Sequence, residues 1–351
     1  MAKKESVIEV EGRQIKLSNL EKVLYPKAGF TKGQVIDYYV RIAPVLLPHL
    51  ADRALTLKRY PNGVDGMFFY EKNCPTYRPS WMKTAKVWSE GNNRFMHYCV
   101  VADLPTLVWL GNLADLELHT SLSRAPETNR PTVIAFDLDP GAPATIVQCC
   151  QVGLWVREIF EQFGLQAFAK TSGSKGLQIY VPLNTAVTYE QTKPFAKAIA
   201  RLLEDRHPDL VVSDMKKALR VNKVFVDWSQ NDDYKTTVNV YSLRAKEQPT
   251  VSTPVTWQEV ENCLKKADPE LLVFTSDQVL QRVEKSGDLF EPVLKLKQKL
   301  PSLTALGQGD SQSMAQVPAA GKVKKIQSAP PTRKTASKVV TKAVKRKAKV
   351  R

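Results

Sequence analysis

The sharpest chemistry in the chain lies in Thr132-Val133-Ile134-Ala135-Phe136-Asp137-Leu138-Asp139-Pro140. Strand side chains alternate between faces, so Asp137 and Asp139 project together while Ile134, Phe136 and Leu138 pack the other way; this spaces the carboxylates by about 7 Å. Two carboxylates that close repel unless a cation lies between them, and hard oxygen donors suit Mg²⁺ or Mn²⁺. The bland alternative is a D-x-D-P turn whose last aspartate caps the next helix, and a short motif alone does not decide between the two. A third carboxylate, Asp227, closes the apolar run Val224-Phe225-Val226 and precedes Ser229, Gln230 and Asn231. Three strand-end carboxylates in an α/β setting are the equipment of two-metal phosphoryl or nucleotidyl transfer, where attacking and leaving oxygens both need cationic support. Read blandly, Asp227 is a turn former.

Between these carboxylates lies Thr171-Ser172-Gly173-Ser174-Lys175-Gly176, followed at once by a strand pattern, Leu177-Gln178-Ile179-Tyr180-Val181. Two glycines and two hydroxyls around a lysine can turn N–H groups and an ammonium toward phosphate oxygens. It is not a Walker A loop, which opens a helix; an ordinary tight turn is the alternative. Arg220, Lys223, Lys235 and Arg244 follow, either as structural ion pairs or as a grip on a triphosphate. Met67-Phe68-Phe69-Tyr70 reads as core or as a base-stacking platform. Lys22, Lys32 and Lys58 read as a solvated face, and His119 alone reads as a satisfied buried histidine.

The elements that must position these groups follow from periodicity. Thr31 is a good N-cap for an amphipathic helix through Gln34, Val35, Tyr38, Tyr39 and Ile42; a strand at Ala54–Arg59 and a turn at Pro61-Asn62-Gly63 come next, and an apolar helical pattern fills about 103–122. A break near 125–131 separates two lobes, about 6–125 and about 130–300. The second lobe alternates strands near 132–138, 166–170, 177–182, 223–228 and 237–243 with helices over 143–163 and 188–205. The fold class is α/β (α+β) with a mixed sheet. From about Pro301 large apolar residues run out, and 301–351 reads as a disordered Lys-rich tail.

Charge points the same way. The chain has 51 Lys plus Arg against 35 Asp plus Glu; residues 321–351 hold twelve of the basic residues and no acid, leaving 39 against 35, or +4, for the rest. A basic tail on a nearly balanced body implies a polyanionic partner, nucleic acid before membrane. No stretch of about 18 uncharged apolar residues occurs, and no leader-type h-region follows Met1, so a secreted or membrane-spanning chain is not expected. Five cysteines without C-x-x-C spacing, two of them adjacent on what reads as a buried helix face, fit a reducing cytoplasm and exclude a structural zinc site.

Taken in order, LEKVLYP (20–26), LTLKRYPNGVDGMFFY (55–70), LELHTSLSR (116–124), FDLDP (136–140), TSGSKGLQIYVPL (171–183), KVFVDWSQN (223–231) and YSLRA (241–245) resemble the polymerase domain of bacterial DNA ligase D, a branch of the archaeo-eukaryotic primase superfamily. The resemblance implies a primase-polymerase core, with two divalent ions, often Mn²⁺, adding ribo- or deoxynucleotides to DNA ends in non-homologous end joining. It implies that Asp137, Asp139 and Asp227 are the metal-binding catalytic triad. His119, Ser172, Lys175, Gln178, Arg220, Gln230 and Arg244 then surround the incoming nucleotide, Phe68 and Phe69 stack on DNA with Lys58 nearby, and Lys22 and Lys32 meet a downstream 5′-phosphate. Gln178 stands where the family pattern usually has His. No K-x-D-G ligase motif is present, so a separate DNA ligase and a Ku-type end-binding protein are the expected partners, at the nucleoid in the cytoplasm. The alternative is a non-catalytic DNA-end-binding or bridging factor with a vestigial metal site.

Overall fold

Thr31 opens the first long helix: its hydroxyl accepts the Gln34 N–H at 3.3 Å, and the Gln34 side-chain oxygen accepts the Thr31 N–H at 2.8 Å, a reciprocal cap that fixes the helix start. In the structure, a computed structural model describing residues 5–89 and 92–305, this helix is α1 (Lys32–Leu50). It buries Val35, Tyr38, Tyr39, Ile42 and Leu46 in a core shared with α2 (Leu104–Asn112), whose N-cap Asp103 accepts the Thr106 N–H. Two hairpins precede it, β1 (Glu5–Val10) with β2 (Arg13–Ser18) and β3 (Val23–Tyr25) with β4 (Phe30–Thr31).

Two six-stranded sheets carry the rest. The first contains β5 (Leu55–Arg59), β6 (Phe69–Glu71), β7 (Thr84–Ser89), β8 (Arg94–Cys99), β9 (Asp115–Thr120) and β15 (Thr237–Val238), in the order β15-β9-β5-β8-β7 with β6 paired to β5. The second runs β13-β14-β10-β12-β11-β16, made of β10 (Val133–Pro140), β11 (Phe168–Thr171), β12 (Leu177–Pro182), β13 (Val211–Val212), β14 (Val224–Asp227) and β16 (Pro254–Val255). Helices α3 (Ile146–Gln162) and α4 (Tyr189–Arg206) cover its apolar side, where Ile134, Phe136 and Leu138 are fully buried and Phe136 meets Phe160 at 5.8 Å between ring centres. The alternation expected of β10 therefore holds, with both aspartates on the other face. Helices α5 (Trp257–Lys266), α6 (Ser276–Ser286) and α7 (Glu291–Lys295) close the chain's main unit, Met1–Leu303. Asp288 ties them to α1 by meeting His49 at 2.8 Å and the Tyr241 hydroxyl at 2.7 Å.

Three expectations need correction. The pattern over 103–122 is not one helix: Ala114 takes a left-handed backbone (φ 57°), ends α2 and turns the chain into β9, which is buried on both faces and so lacks strand-like alternation. The strand near 237–243 stops at Val238, and Tyr241 is left-handed (φ 63°). Cys74 and Cys99 form a disulfide, because the Cys74 N–H bonds the His97 carbonyl and draws the 72–82 connection onto β8. The cysteines thus do not argue uniformly for a reducing compartment, although Cys149, Cys150 and Cys263 are buried thiols. Among the described residues no helix is long and apolar enough to cross a membrane. The tail expectation falls mainly on residues 306–351, outside the described residues.

Candidate active site

Strand register brings the carboxylates together. β10 lies antiparallel to β14, and Asp137 is directly opposite Asp227; on its other side β10 pairs with β12, placing Asp137 opposite Gln178. Opposed residues in such a pair hold their Cβ atoms about 4.5–5.5 Å apart. Burial first, then the charges of Asp139 and Asp227, push the Asp137 carboxyl up to about 7, against the lowering effect of a Gln178 hydrogen bond and Lys170. Asp139 is also raised, by burial and by Asp227, with Arg220 and Arg244 pulling the other way. Asp227 is held in place: Oδ1 accepts the Ser229 N–H at 2.8 Å and hydroxyl at 2.6 Å, and Oδ2 accepts the Gln230 amide at 2.9 Å.

Among the described residues no three His, Cys, Asp or Glu side chains are gathered into a finished metal cage. The expected trio therefore shares one end of two paired strands without closing on a common point, since Ser229 and Gln230 occupy Asp227 and like charges repel. Its donor chemistry still fits a hard divalent cation, because Asp137 Oδ1 is buried without any hydrogen-bond donor and faces two more carboxylates.

The Gly/Ser/Lys turn joins β11 to β12 beside them. A Cβ on Gly176 would stand 2.2 Å from the Leu138 carbonyl, and one on Gly173 (φ 65°) 2.6 Å from the Val251 carbonyl carbon, so both positions require glycine. Ser172 Oγ accepts the N–H groups of Ser174 (3.2 Å) and Gly176 (3.1 Å); its hydroxyl oxygen thus stabilises its own loop. Arg244 donates to the Ser172 carbonyl and Thr250 to that of Gly173, while Lys175 is exposed at the tip.

Glu117, which no motif singles out, organises the facing sheet. Almost wholly buried, it takes Lys58 (3.1 Å), His119 (3.0 Å), Arg244 (3.4 Å) and the Ala245 N–H (3.1 Å). Burial alone would raise its carboxyl; the His119 hydrogen bond and the Arg244, His119 and Lys58 charges outweigh burial and hold it well below the usual carboxylate range. Burial also lowers His119 despite Glu117. A sequence signal for the pair exists, since Glu117 and His119 are two apart on one strand and share a face. Above this cluster Phe68 stacks on Tyr60 (5.2 Å) and Lys58 Nζ lies 4.7 Å over Phe68, while Phe68 and Phe69 remain exposed. These aromatics are therefore a surface platform, and Lys58 lies beneath it, off the solvated face.

A cleft of about 510 Å³ runs between these parts, lined by Asp137, Asp139, His119, Ser172, Lys175, Gln178, Gln230 and Arg244, with Tyr70, Lys72, Lys235 and Lys246 added. Lys246 is lowered by burial and then by the Arg244, Lys175 and Lys58 charges, in spite of Glu117, and the lining itself holds five Lys and Arg side chains against two carboxylates. Arg220 is not among the residues lining the cleft, although its charge lowers the Asp139 carboxyl; it donates to the Met215 carbonyl and lies 3.7 Å over Phe225, with its Nε buried and unpartnered. Lys22 and Lys32 are elsewhere on the molecule. Lys32 is buried against Ser18 and Asn112 and pushed down to about 8 by burial and the Lys22 charge; Lys22 bonds Pro61 and Asn62.

With this geometry in hand, the relatives are informative. Residues 31–290 match the family model for the LigD primase-polymerase domain. The "Multifunctional non-homologous end joining protein LigD" of Mycolicibacterium smegmatis is 40% identical over 282 residues, 80% of this chain and 36% of that protein; the "Bifunctional non-homologous end joining protein LigD" of Bacillus subtilis is 32% identical over 296 residues, 84% and 46% respectively. The chain thus spans less than half the length of these relatives. The solved polymerase domain of Mycobacterium tuberculosis ligase D in complex with DNA superposes with a TM-score of 0.75 at 39% identity, covering 81% of this chain and 99% of that one. A mixed α/β fold, a carboxylate-lined cleft crowded with cations and these matches agree: the chain belongs to the LigD primase-polymerase family, a family of nucleotidyltransferases.

Proposed function

We propose that the protein is a DNA-end repair polymerase that transfers a nucleotide from an NTP or dNTP to a DNA 3′-hydroxyl, filling gaps during non-homologous end joining. The observation that carries this reading is the single cleft in which Asp137 and Asp139, with Asp227 directly across the strand pair, face the crowded cations Lys175, Arg244 and Lys246. Asp137, Asp139 and Asp227 would hold two divalent ions, Mn²⁺ or Mg²⁺. Bound there, such ions neutralise triphosphate charge and make the 3′-hydroxyl a better nucleophile.

The chain's own residues do the rest. Lys175, Lys246 and Arg244 bind and orient the triphosphate, Arg220 adds positive charge from beside Asp139, and Ser172 keeps the loop rigid under it. His119, Gln178 and Gln230 supply hydrogen bonds around the nucleotide. With the parts so held, the 3′-hydroxyl gives up its proton to solvent and its oxygen bonds to the α-phosphorus as the bond to pyrophosphate breaks, while the basic side chains disperse the developing charge. Phe68 and Phe69 offer stacking faces to bases, and Lys22 with Lys32 meets a downstream 5′-phosphate. A separate DNA ligase seals the product and a Ku-type protein recruits the chain, at the nucleoid in the cytoplasm.

The test is extension of a gapped, 5′-phosphorylated duplex with Mn²⁺ or Mg²⁺ and either ribo- or deoxynucleotides. Template-directed addition that disappears in Asp137→Ala and Asp227→Ala is expected. Undiminished addition in either variant refutes the catalytic assignment, and DNA-end binding without any addition by the parent protein leaves an end-bridging factor instead.

A further inference from the structure

Lys170 is fully buried in β11, one strand in from the edge of the sheet that carries the aspartates. Its Nζ meets three neutral acceptors: the Gln178 side-chain oxygen, the Val238 carbonyl at 3.1 Å and Ser252 Oγ at 2.7 Å. Ser252 spends its own hydrogen on the Thr171 carbonyl at 2.9 Å, so it can only accept from the lysine. Burial pulls this amine down to about 7 against the raising effect of the Asp137 charge, yet three acceptors and no donor face Nζ, and only the ammonium, with three donors, satisfies all of them. Burying such a group is costly even when, as here, it satisfies the Gln178 oxygen, the Val238 carbonyl and Ser252 Oγ.

Its position explains the expense. Register places Gln178 between Lys170 on one neighbouring strand and Asp137 on the other. Because lysine offers no acceptor, the amide must present its oxygen to Lys170, and this leaves its N–H groups for Asp137 and the cleft, where Gln178 is a lining residue. A free glutamine amide has no such preference and turns either end to the cleft. With its oxygen outward it would repel both a carboxylate and a phosphate.

We propose that Lys170 is a positioning residue for the triphosphate site: from behind Gln178 it fixes the amide with its N–H groups outward and brings a positive charge to the floor of the cleft. The inference rests on the nucleotide-binding reading of that cleft.

The test is a double-substitution cycle read by calorimetric binding of ATP with Mn²⁺ and, separately, by KM and kcat for nucleotide addition, with thermal unfolding recorded for every variant. Lys170→Met is expected to weaken ATP binding and raise KM at least tenfold while kcat falls much less. Gln178→His is expected to weaken binding in the parent, where two cations would face each other, and to restore it in the Lys170→Met background. That reversal of sign is not produced by a lysine that only supports the fold. Should Lys170→Met not fold, Lys170→Met with Gln178→Met replaces both polar groups by apolar ones and is expected to show the same tenfold loss. ATP binding within twofold of the parent in the folded Lys170 variants, or a Gln178→His effect of the same sign in both backgrounds, overturns the inference. If the parent binds ATP yet adds no nucleotide, the polymerase reading fails while the binding cycle still decides the role of Lys170; if the parent binds no ATP, the inference falls too.

Discussion

Replacing Glu117 with Gln keeps the side chain's shape and removes one buried negative charge beneath Lys58, His119 and Arg244. Removing one partner of a buried ion pair costs about 3–5 kcal/mol, and a glutamine oxygen that still accepts the Ala245 N–H brings this to about 2–4 kcal/mol. At about 2.1 cal/mol/K of unfolding entropy per residue, each kcal/mol moves the midpoint of the Met1–Leu303 unit by about 1.6 °C, so Glu117→Gln should melt about 3–6 °C lower at pH 7. The pH dependence has a definite sign. Glu117 is depressed in the folded state, so its contribution is complete above its unfolded value of about 4.3 and disappears as pH falls through the lower folded value. Circular dichroism melts at pH 7 and pH 3 should therefore show a wide gap between the two proteins at neutrality and a narrower one in acid. With its anchor gone, Arg244 should also hold triphosphate less tightly. A change below 1 °C at pH 7, or a gap that widens in acid, would refute the electrostatic role assigned to Glu117.

Gly176→Ala forces a methyl to within 2.2 Å of the Leu138 carbonyl on the catalytic strand; denaturant titration should show a loss of about 1–3 kcal/mol, and primer extension should fall to a small residue. Asp137→Asn bears on the raised carboxyl: with a folded value of about 7, the parent's stability contribution is complete below about 3.9 and is lost as pH rises through 7. In metal-free buffer the variant should thus melt higher than the parent at pH 8 and equally at pH 3.5, and added Mn²⁺ should stabilise the parent alone; superimposable curves would contradict this. Deleting residues 306–351 removes twelve basic groups, and the log–log salt slope of duplex binding should become shallower, by about 0.9 for each phosphate that is no longer neutralised, with extension at saturating DNA unchanged. An unaltered slope would make the tail a passive extension.

What the sequence discloses, and what it hides, follows from locality. The two-faced pattern of 133–139 and the N-cap at Thr31 depend on neighbours in the chain, and both stand in the structure. That Asp227 lands opposite Asp137 depends on the pairing of strands 90 residues apart, which no local pattern specifies. The family resemblance supplies that convergence where periodicity cannot. The 103–122 segment reads as one helix because β9 is buried on both faces and so shows no alternation, and one left-handed residue, Ala114, makes the switch. Lys170 escapes notice because a lysine in a strand reads as solvent-facing; only the partners on β12, at Val238 and at Ser252 reveal it as interior. Cys74 and Cys99 are joined by a connection whose course no local pattern specifies.

The claim on which the rest depends is that Asp137, Asp139 and Asp227 hold divalent cations beside a bound triphosphate. It is tested most directly by electron paramagnetic resonance titration of Mn²⁺, with and without a non-hydrolysable nucleoside triphosphate, in the parent and in Asp137→Ala and Asp227→Ala. Two bound Mn²⁺ per parent chain when the nucleotide is present, and fewer in each variant, is the expected result. Equal Mn²⁺ binding by all three proteins would contradict it.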